Sequence, residues 1–271
     1  MNQRERWRGY GRLVRTFRNW PLYFLHRRGL LRRSEILEFR TRRGFRLPLP
    51  RARIGDFHEI FLSHHYLAPE WSRDLRDLRT VIDIGANIGL FSLFAAERFP
   101  KARILAFEPW EENFRYLERL VREERLPVLP FHQAVSATSG PLVLHLPRSE
   151  RFSSRATVFS CPPGPSWPDR EDLRIEVPAV TLEEIFRREG ISRCDLLKMD
   201  CEGSEYAILY AAPPDLLARI ERMAIEVHSG SAPAENLASL SSYLSDLGFL
   251  TATREATEFT AMLHAWRKPS R

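Results

Sequence analysis

From residue 80 onward, short apolar runs of strand length alternate with amphipathic runs of helix length. That alternation confines the chain to a mostly parallel sheet with helices on both faces, an α/β fold. Strands are expected at 80–84, 103–107, 128–131, 177–180, 195–199 and 223–227, with helices at 90–98, 110–123, 182–189, 205–211 and 234–247. Leu142, Leu144 and Leu146 alternate as in a hairpin, and 249–252 with 261–266 form an antiparallel pair that closes the sheet. Residues 147–174, rich in Ser and Pro, read as a long loop of the kind that covers a binding site.

The 271 residues, 44% apolar, suffice for one core with an extension. Gly and Pro are too few for a low-complexity chain. Cys161, Cys194 and Cys201 show no CxxC spacing, so neither a zinc site nor a disulfide scaffold is implied, and a reducing compartment fits them. No run of about 18 apolar residues exists to span a bilayer, and the arginine-threaded start is unlike a secretory signal. The expected location is the cytoplasm.

Charge is unevenly placed. Residues 1–53 hold sixteen arginines against Glu5, Glu35 and Glu38, a net +13, which leaves −7 for the rest of a chain whose total is +6. The expected organisation is a basic, partly helical extension over 1–53 and a catalytic domain over 54–271. Residues 10–31 suggest a basic amphipathic helix broken at Pro21. Such an element can rest on an anionic membrane, or pack on the body with its arginines in water. Nucleic acid is the weakest reading, since no groove-reading or stacking motif accompanies the charge.

Ligands of open α/β sheets bind beyond the carboxyl ends of strands. The first strand here ends in Asp83 and the turn Gly85-Ala86-Asn87-Ile88-Gly89, a GxxxG spacing and not the GxGxxG of dinucleotide sites. The second ends in Glu108, 25 residues after Asp83, where a ribose diol would lie if a nucleoside crossed the turn. A carboxylate there accepts hydroxyl protons and repels a 2′-phosphate, which disfavours NADP.

Asp83-Ile-Gly-Ala-Asn-Ile-Gly89, Phe107-Glu108-Pro109, Asn113, Ala134-Val135-Ser136 and Asp195-Leu-Leu-Lys-Met-Asp-Cys-Glu-Gly-Ser-Glu205 resemble the FkbM family of S-adenosylmethionine-dependent methyltransferases. The likeness runs over residues 56–228, including Glu59 to Tyr66 and Ile225-Glu226-Val227-His228, and leaves the arginine-rich start uncovered. Cys201 stands where the family usually has an aliphatic residue. The resemblance implies the class I methyltransferase fold, a Rossmann-like, mostly parallel seven-stranded sheet, and O-methyl transfer to a saccharide, glycolipid or secondary metabolite. It implies S-adenosyl-L-methionine as cofactor, with Asp83, Gly85, Asn87 and Gly89 toward its methionine end, Glu108 on the ribose and Ala134 at the adenine edge. Ser153 and Ser154 match a serine pair on the substrate side of family members.

Asp200 ends a buried strand and is expected to orient or deprotonate the acceptor hydroxyl. His228, ending the next strand, is a second candidate base or a structural histidine. Lys198, on the same strand face as Asp200, could pair with a carboxylate or hold a substrate oxygen. Glu202 and Glu205 are candidate substrate-side acids or ordinary helix-start acids. Asp200, Glu202, Glu205 and His228 also have a composition that suits magnesium or manganese, but no metal is assigned because these carboxylates need not converge. Two other functions stay open: a non-catalytic nucleoside-binding or membrane-associated scaffold, and a nucleic acid methyltransferase, which no NPPY-like element supports.

Overall fold

The computed structural model describes residues 3–31, 34–71, 75, 77–147, 172–230, 232–254 and 260–268. Two helices, α1 (Gln3–Thr16) and α2 (Pro21–Arg27), precede a hairpin of β1 (Ile36–Arg40) and β2 (Arg46–Pro50). The chain then enters α3 (Ile54–Phe57), which widens into a π-helical stretch, His58–Ser63, and stops at His64 in the left-handed region. The break at Pro21 falls where expected, because proline opens α2 at its first turn, where no N–H is needed.

The alternation follows as β3 (Thr80–Ile84), α4 (Leu90–Arg98), β4 (Arg103–Phe107), α5 (Glu111–Glu124) and β5 (Val128–Phe131). Next come β6 (Ala134–Val135), β7 (Gly140–Pro147), β8 (Asp172–Val180), α6 (Leu182–Arg188), β9 (Leu196–Met199), α7 (Glu205–Ala211) and α8 (Pro214–Leu217). The chain ends with β10 (Arg222–His228), α9 (Leu237–Asp246), β11 (Leu250–Arg254) and β12 (Thr260–Trp266). Seven strands form one sheet in the order β11-β12-β10-β9-β3-β4-β5. All pairings are parallel except those of β12 with β10 and β11.

Strand residues alternate between two cores, as a sheet covered on both faces requires. Val81, Ile104 and Leu196 join one core with α4 and α5, while Ile82, Leu105 and Leu197 join the other with α6, α7 and α9. The hairpin expected near Leu142 exists, but its second arm is all of β8, which pairs antiparallel with β7 from Asp172 to Ala179. Strand structure therefore begins inside the stretch read as loop.

The arginine-rich start is not a detached arm. Leu13, Phe17, Tyr23, Leu37, Phe39, Leu47 and Leu49 are buried in the same core as Val81 and Ile104. Phe17 sits among Phe39, Phe57 and Phe61, with ring centroids 5.4, 5.2 and 5.0 Å away. Among the described residues no helix is long and apolar enough to cross a membrane.

Candidate active site

Parallel register brings the tips of β4, β3 and β9 to one level, since Ile84 lies opposite Phe107 on one side and Met199 on the other. The residues that follow, Gly85, Glu108 and Asp200, therefore share one rim. Gly85 has φ +72°, and a Cβ added there would lie 1.8 Å from the Asp200 carbonyl oxygen. Only glycine fits, because the chain itself passes that close. Gly89 answers a different need: its φ is +87° and a Cβ would press on Leu117 at 2.8 Å, so it seats α4 on α5 and does not line the cleft.

A cleft of about 580 Å³ opens over this rim, lined on its polar side by Asn87, Glu108, Asn113, Gln133, Asp200 and Glu202. Phe107, Ala134, Val135 and Leu144 give it an apolar slot. Glu108 is buried; its Oε2 accepts the Asn87 N–H at 2.7 Å and its Oε1 the Trp110 N–H at 2.9 Å. Burial raises its pKa to about 7, against the pull of those N–H groups.

Beside the cleft, and sharing Gly85, Asn87, Asp200 and Glu202 with it, lies a second cavity of about 700 Å³. Asp56, Glu59 and Tyr66 wall it from the N-terminal side, and Lys198 and Glu226 from the sheet. Tyr66 donates its hydroxyl to Asp200 Oδ2 at 2.8 Å and to Glu226 Oε2 at 3.2 Å. Burial, and then the two carboxylates, hold that hydroxyl protonated well above the usual tyrosine range. Burial, and next the neighbouring Asp200, raise Glu226 to about 7.

Lys198 is buried under this cavity. Its ammonium lies 3.2 Å from Asp83 Oδ1 and 3.8 Å from Asp200 Oδ2, and donates to the Gly85 carbonyl at 2.7 Å. Burial opposes its charge, but Asp83 and Asp200 outweigh burial and hold its pKa above the ordinary lysine value. Asp83 lines neither cavity. It is fully buried, accepts the Ser92 hydroxyl at 2.7 Å and anchors Lys198, so the structure places it beneath the cofactor turn and not on its floor.

His228 is clamped. Its Nδ1 lies 3.0 Å from Glu205 Oε1 and its Nε2 3.4 Å from Glu202 Oε2. Burial alone would lower its pKa, but the Glu205 contact and then Glu202 and Asp200 raise it to about 10. It is an imidazolium near neutral pH, which removes the proton-accepting nitrogen a base needs. Glu205 is fully buried and also accepts the Cys201 and Gly203 N–H groups, each at 3.2 Å, so it braces the turn and the histidine from behind the cavities. Glu202 reaches both cavities, with its pKa raised to about 8 first by burial.

Several expected residues thus converge: Gly85, Asn87, Glu108, Ala134, Asp200, Glu202 and, from below, Lys198. Ser153, Ser154 and Cys161 lie outside the described residues. Reading by strand ends missed Tyr66, Asp56, Glu59 and Glu226 as site residues. Glu226 had a signal, since it lies two residues before His228 on one strand and shares its face. Among the described residues, one ligand atom each from Asp200, Glu226 and His228 lie within 4.8 Å of one another, a set that could hold a metal ion. Glu205 is not among them.

A glycine turn and a buried acid at adjacent strand tips, beside a cleft and an acidic cavity that share lining residues, sit where open α/β sheets bind their ligands. The chain belongs to the FkbM methyltransferase family: the family model described as methyltransferase FkbM domain matches residues 83–251. It is 30% identical over 233 residues to the AMB antimetabolite synthetase AmbE of Pseudomonas aeruginosa, covering 73% of this chain but only 11% of that much longer protein. It is 29% identical to the 31-O-demethyl-FK506 methyltransferase FkbM of Streptomyces tacrolimicus over 64% of this chain and 73% of that one. A precorrin-6y C5,15-methyltransferase structure from Geobacter metallireducens superposes with a TM-score of 0.41 at 14% identity, over 72% of this chain and 83% of that one.

The cofactor of this methyltransferase is S-adenosylmethionine, and the cleft fits it. Glu108, Asn87, Asn113 and Gln133 give it polar groups for a nucleoside's hydroxyls, and the apolar slot beside Ala134 and Val135 suits a flat base.

Proposed function

We propose that the chain transfers a methyl group to a hydroxyl of a polyhydroxylated acceptor, such as a saccharide, glycolipid or hydroxylated secondary metabolite. The observation that carries this reading is the sharing of Asp200 between the two cavities. The second cavity presents the carboxylates of Asp56, Glu59, Asp200, Glu202 and Glu226, all of them hydrogen-bond acceptors when ionised. Such a wall, whose Glu202 and Glu226 are held partly protonated by burial, offers both acceptors and donors to the hydroxyls of an acceptor. Among the described residues it offers no cation to a phosphodiester backbone beyond the ion-paired Lys198 and His228.

Glu108 binds the ribose diol in this reading, and the backbone around Gly85 and Asn87 holds the methionine end. When bound, S-adenosylmethionine supplies an electrophilic methyl carbon on a sulfonium sulfur that leaves as a neutral thioether. Asp200 aligns the acceptor oxygen and takes its proton as the oxygen–carbon bond forms. Tyr66 shares its hydroxyl between Asp200 and Glu226 and so spreads the charge of the pair. Lys198 is a positioning residue: it ties Asp83, Asp200 and the Gly85 carbonyl together. His228 holds Glu202 and Glu205 in place as a cation. This reading gives no step to a metal ion, and EDTA is expected to leave turnover unchanged.

Titration calorimetry with S-adenosylmethionine tests the cofactor half. Glu108→Ala is expected to weaken binding about tenfold or more, the scale of hydrogen bonds to a charged group; unchanged affinity removes Glu108 from the ribose. Asp200→Asn tests the chemistry. It is expected to retain cofactor binding and lose most turnover on a hydroxylated acceptor, and full turnover would transfer the base role elsewhere. A non-catalytic scaffold would show cofactor binding without product from any acceptor in the wild type.

A further inference from the structure

Methyl transfer leaves the outer surface of the N-terminal helices without a task. Their inner surface is committed: Gly9, Leu13, Phe17 and Tyr23 are buried. The outer surface is not. Trp7 is 67% exposed, Leu30 66% and Leu25 39%, and together with Ile36 they are half of the eight large apolar side chains exposed among the described residues. A run of contacts links the segments that carry Trp7, Leu25 and Leu30. The Trp7 ring meets Tyr10, with centroids 6.0 Å apart, and Tyr10 meets Phe24 at 4.9 Å. Leu25 follows Phe24 in the chain, and its carbonyl accepts the Leu30 N–H at 3.0 Å.

Basic residues border these side chains. Residues 3–31 contain eight arginines and a single acid, Glu5. Arg4, Arg6 and Arg8 are exposed around Trp7, and Arg27 and Arg28 between Leu25 and Leu30. An exposed indole and leucines within a guanidinium field are the complement of a surface that is anionic outside and apolar just beneath. A folded protein partner would supply no such layering, and RNA or DNA would leave the leucines unmatched.

We propose that the outer face of residues 3–31 docks on an anionic lipid bilayer, with Trp7, Leu25 and Leu30 entering the headgroup layer and the arginines pairing with lipid phosphates. The helix that carries this face packs on the segment that walls the second cavity. Arg12, on α1, donates to the Leu62 and Ser63 carbonyls at 2.7 and 2.8 Å, and Gly9 rests against Leu62. The segment so held runs on from Asp56 and Glu59 and leads to Tyr66, which wall that cavity. Docking is independent of the methyl-transfer reading and is tested without turnover.

The experiment is flotation of the full chain with vesicles of phosphatidylcholine alone or with added phosphatidylglycerol, at low and high salt. Wild type is expected to float with the anionic vesicles at low salt and to stay behind with the neutral ones. Arg4→Gln/Arg8→Gln/Arg27→Gln is expected to lower the partition coefficient about a hundredfold, roughly fivefold per arginine. Trp7→Ser/Leu30→Ser is expected to lower it at least about tenfold, as befits withdrawal of two apolar side chains. Both variants should keep the wild-type melting temperature and cofactor affinity, since every altered side chain is exposed. Absence of flotation, equal flotation with neutral vesicles, or wild-type flotation of Trp7→Ser/Leu30→Ser overturns the proposal. So does tight, salt-sensitive binding of an RNA oligonucleotide by a protein that ignores vesicles, which would make the face a nucleic acid surface.

Discussion

Tyr66 joins the two acids on which the proposed chemistry turns, and its removal separates binding from reaction. Tyr66→Phe keeps the ring against Phe91 (centroids 5.3 Å apart) and the Lys198 ammonium (5.2 Å) but deletes the hydroxyl shared by Asp200 and Glu226. Those acids then face each other without the hydroxyl they share, so steady-state kinetics should show kcat lowered about tenfold to a hundredfold, with calorimetric cofactor affinity unchanged. The rim was legible because it sits at strand ends, where register alone puts Gly85, Glu108 and Asp200 together. Asp83 was misplaced because its neighbours in sequence are cofactor-facing, whereas its own side chain points at Lys198 and Ser92. Tyr66, Asp56 and Glu59 reach the cavity from outside the strand–helix alternation, so no periodicity could have pointed to them. His228 was open to reading as a base only while the burial of Glu205 behind it was unknown.

At the scale of elements, the layer before the sheet is structural. Phe17→Ala removes a fully buried ring from among Phe39, Phe57 and Phe61, and should cost about 3–5 kcal/mol in urea unfolding. A measured loss below about 1 kcal/mol would mean that α1 adds little to the core. Deletion of residues 1–53 is therefore no test of function, since it withdraws Leu13, Phe17, Leu37 and Phe39 from the core that holds α4. The elements after residue 80 matched expectation closely, for their apolar runs are long and their periods clear. The hairpin of β1 and β2 was not legible: each strand has five residues, Pro48 and Pro50 sit in the second, and arginines fill outward positions. Its alternating burial emerges only when Phe39 and Leu47 meet across the pair. Similarly, β8 begins in a charged, Pro-flanked stretch, and its pairing with β7 extends it beyond what local propensity supports.

For the whole molecule, the cluster around His228 makes stability fall as pH rises, opposed only below about 6.5 by His64 and His264, whose pKa values burial lowers to about 3 and about 4. The folded state raises His228 from 6.5 to about 10, so its contribution is complete below about 6.5 and is lost as pH rises through about 10. Glu226 and Glu202 are raised from 4.5 to about 7 and about 8, so the fold favours their protonated forms and they too lose stability as pH climbs from about 4.5 through those values. Urea midpoints should fall steadily from pH 6 to about 10, and His228→Gln should start lower but flatten the alkaline part of the curve. A midpoint that rises with pH in that window would contradict the clamp of Glu202, Glu205 and His228. The two cavities share the strand tips but differ on one side: Asp56, Glu59 and Tyr66, from the stretch before β3, line the second cavity and not the cleft. Substitutions at Asp56, Glu59 or Tyr66 thus reshape one cavity without touching the lining of the other, whereas any change at Asp200 or Glu202 is felt in both.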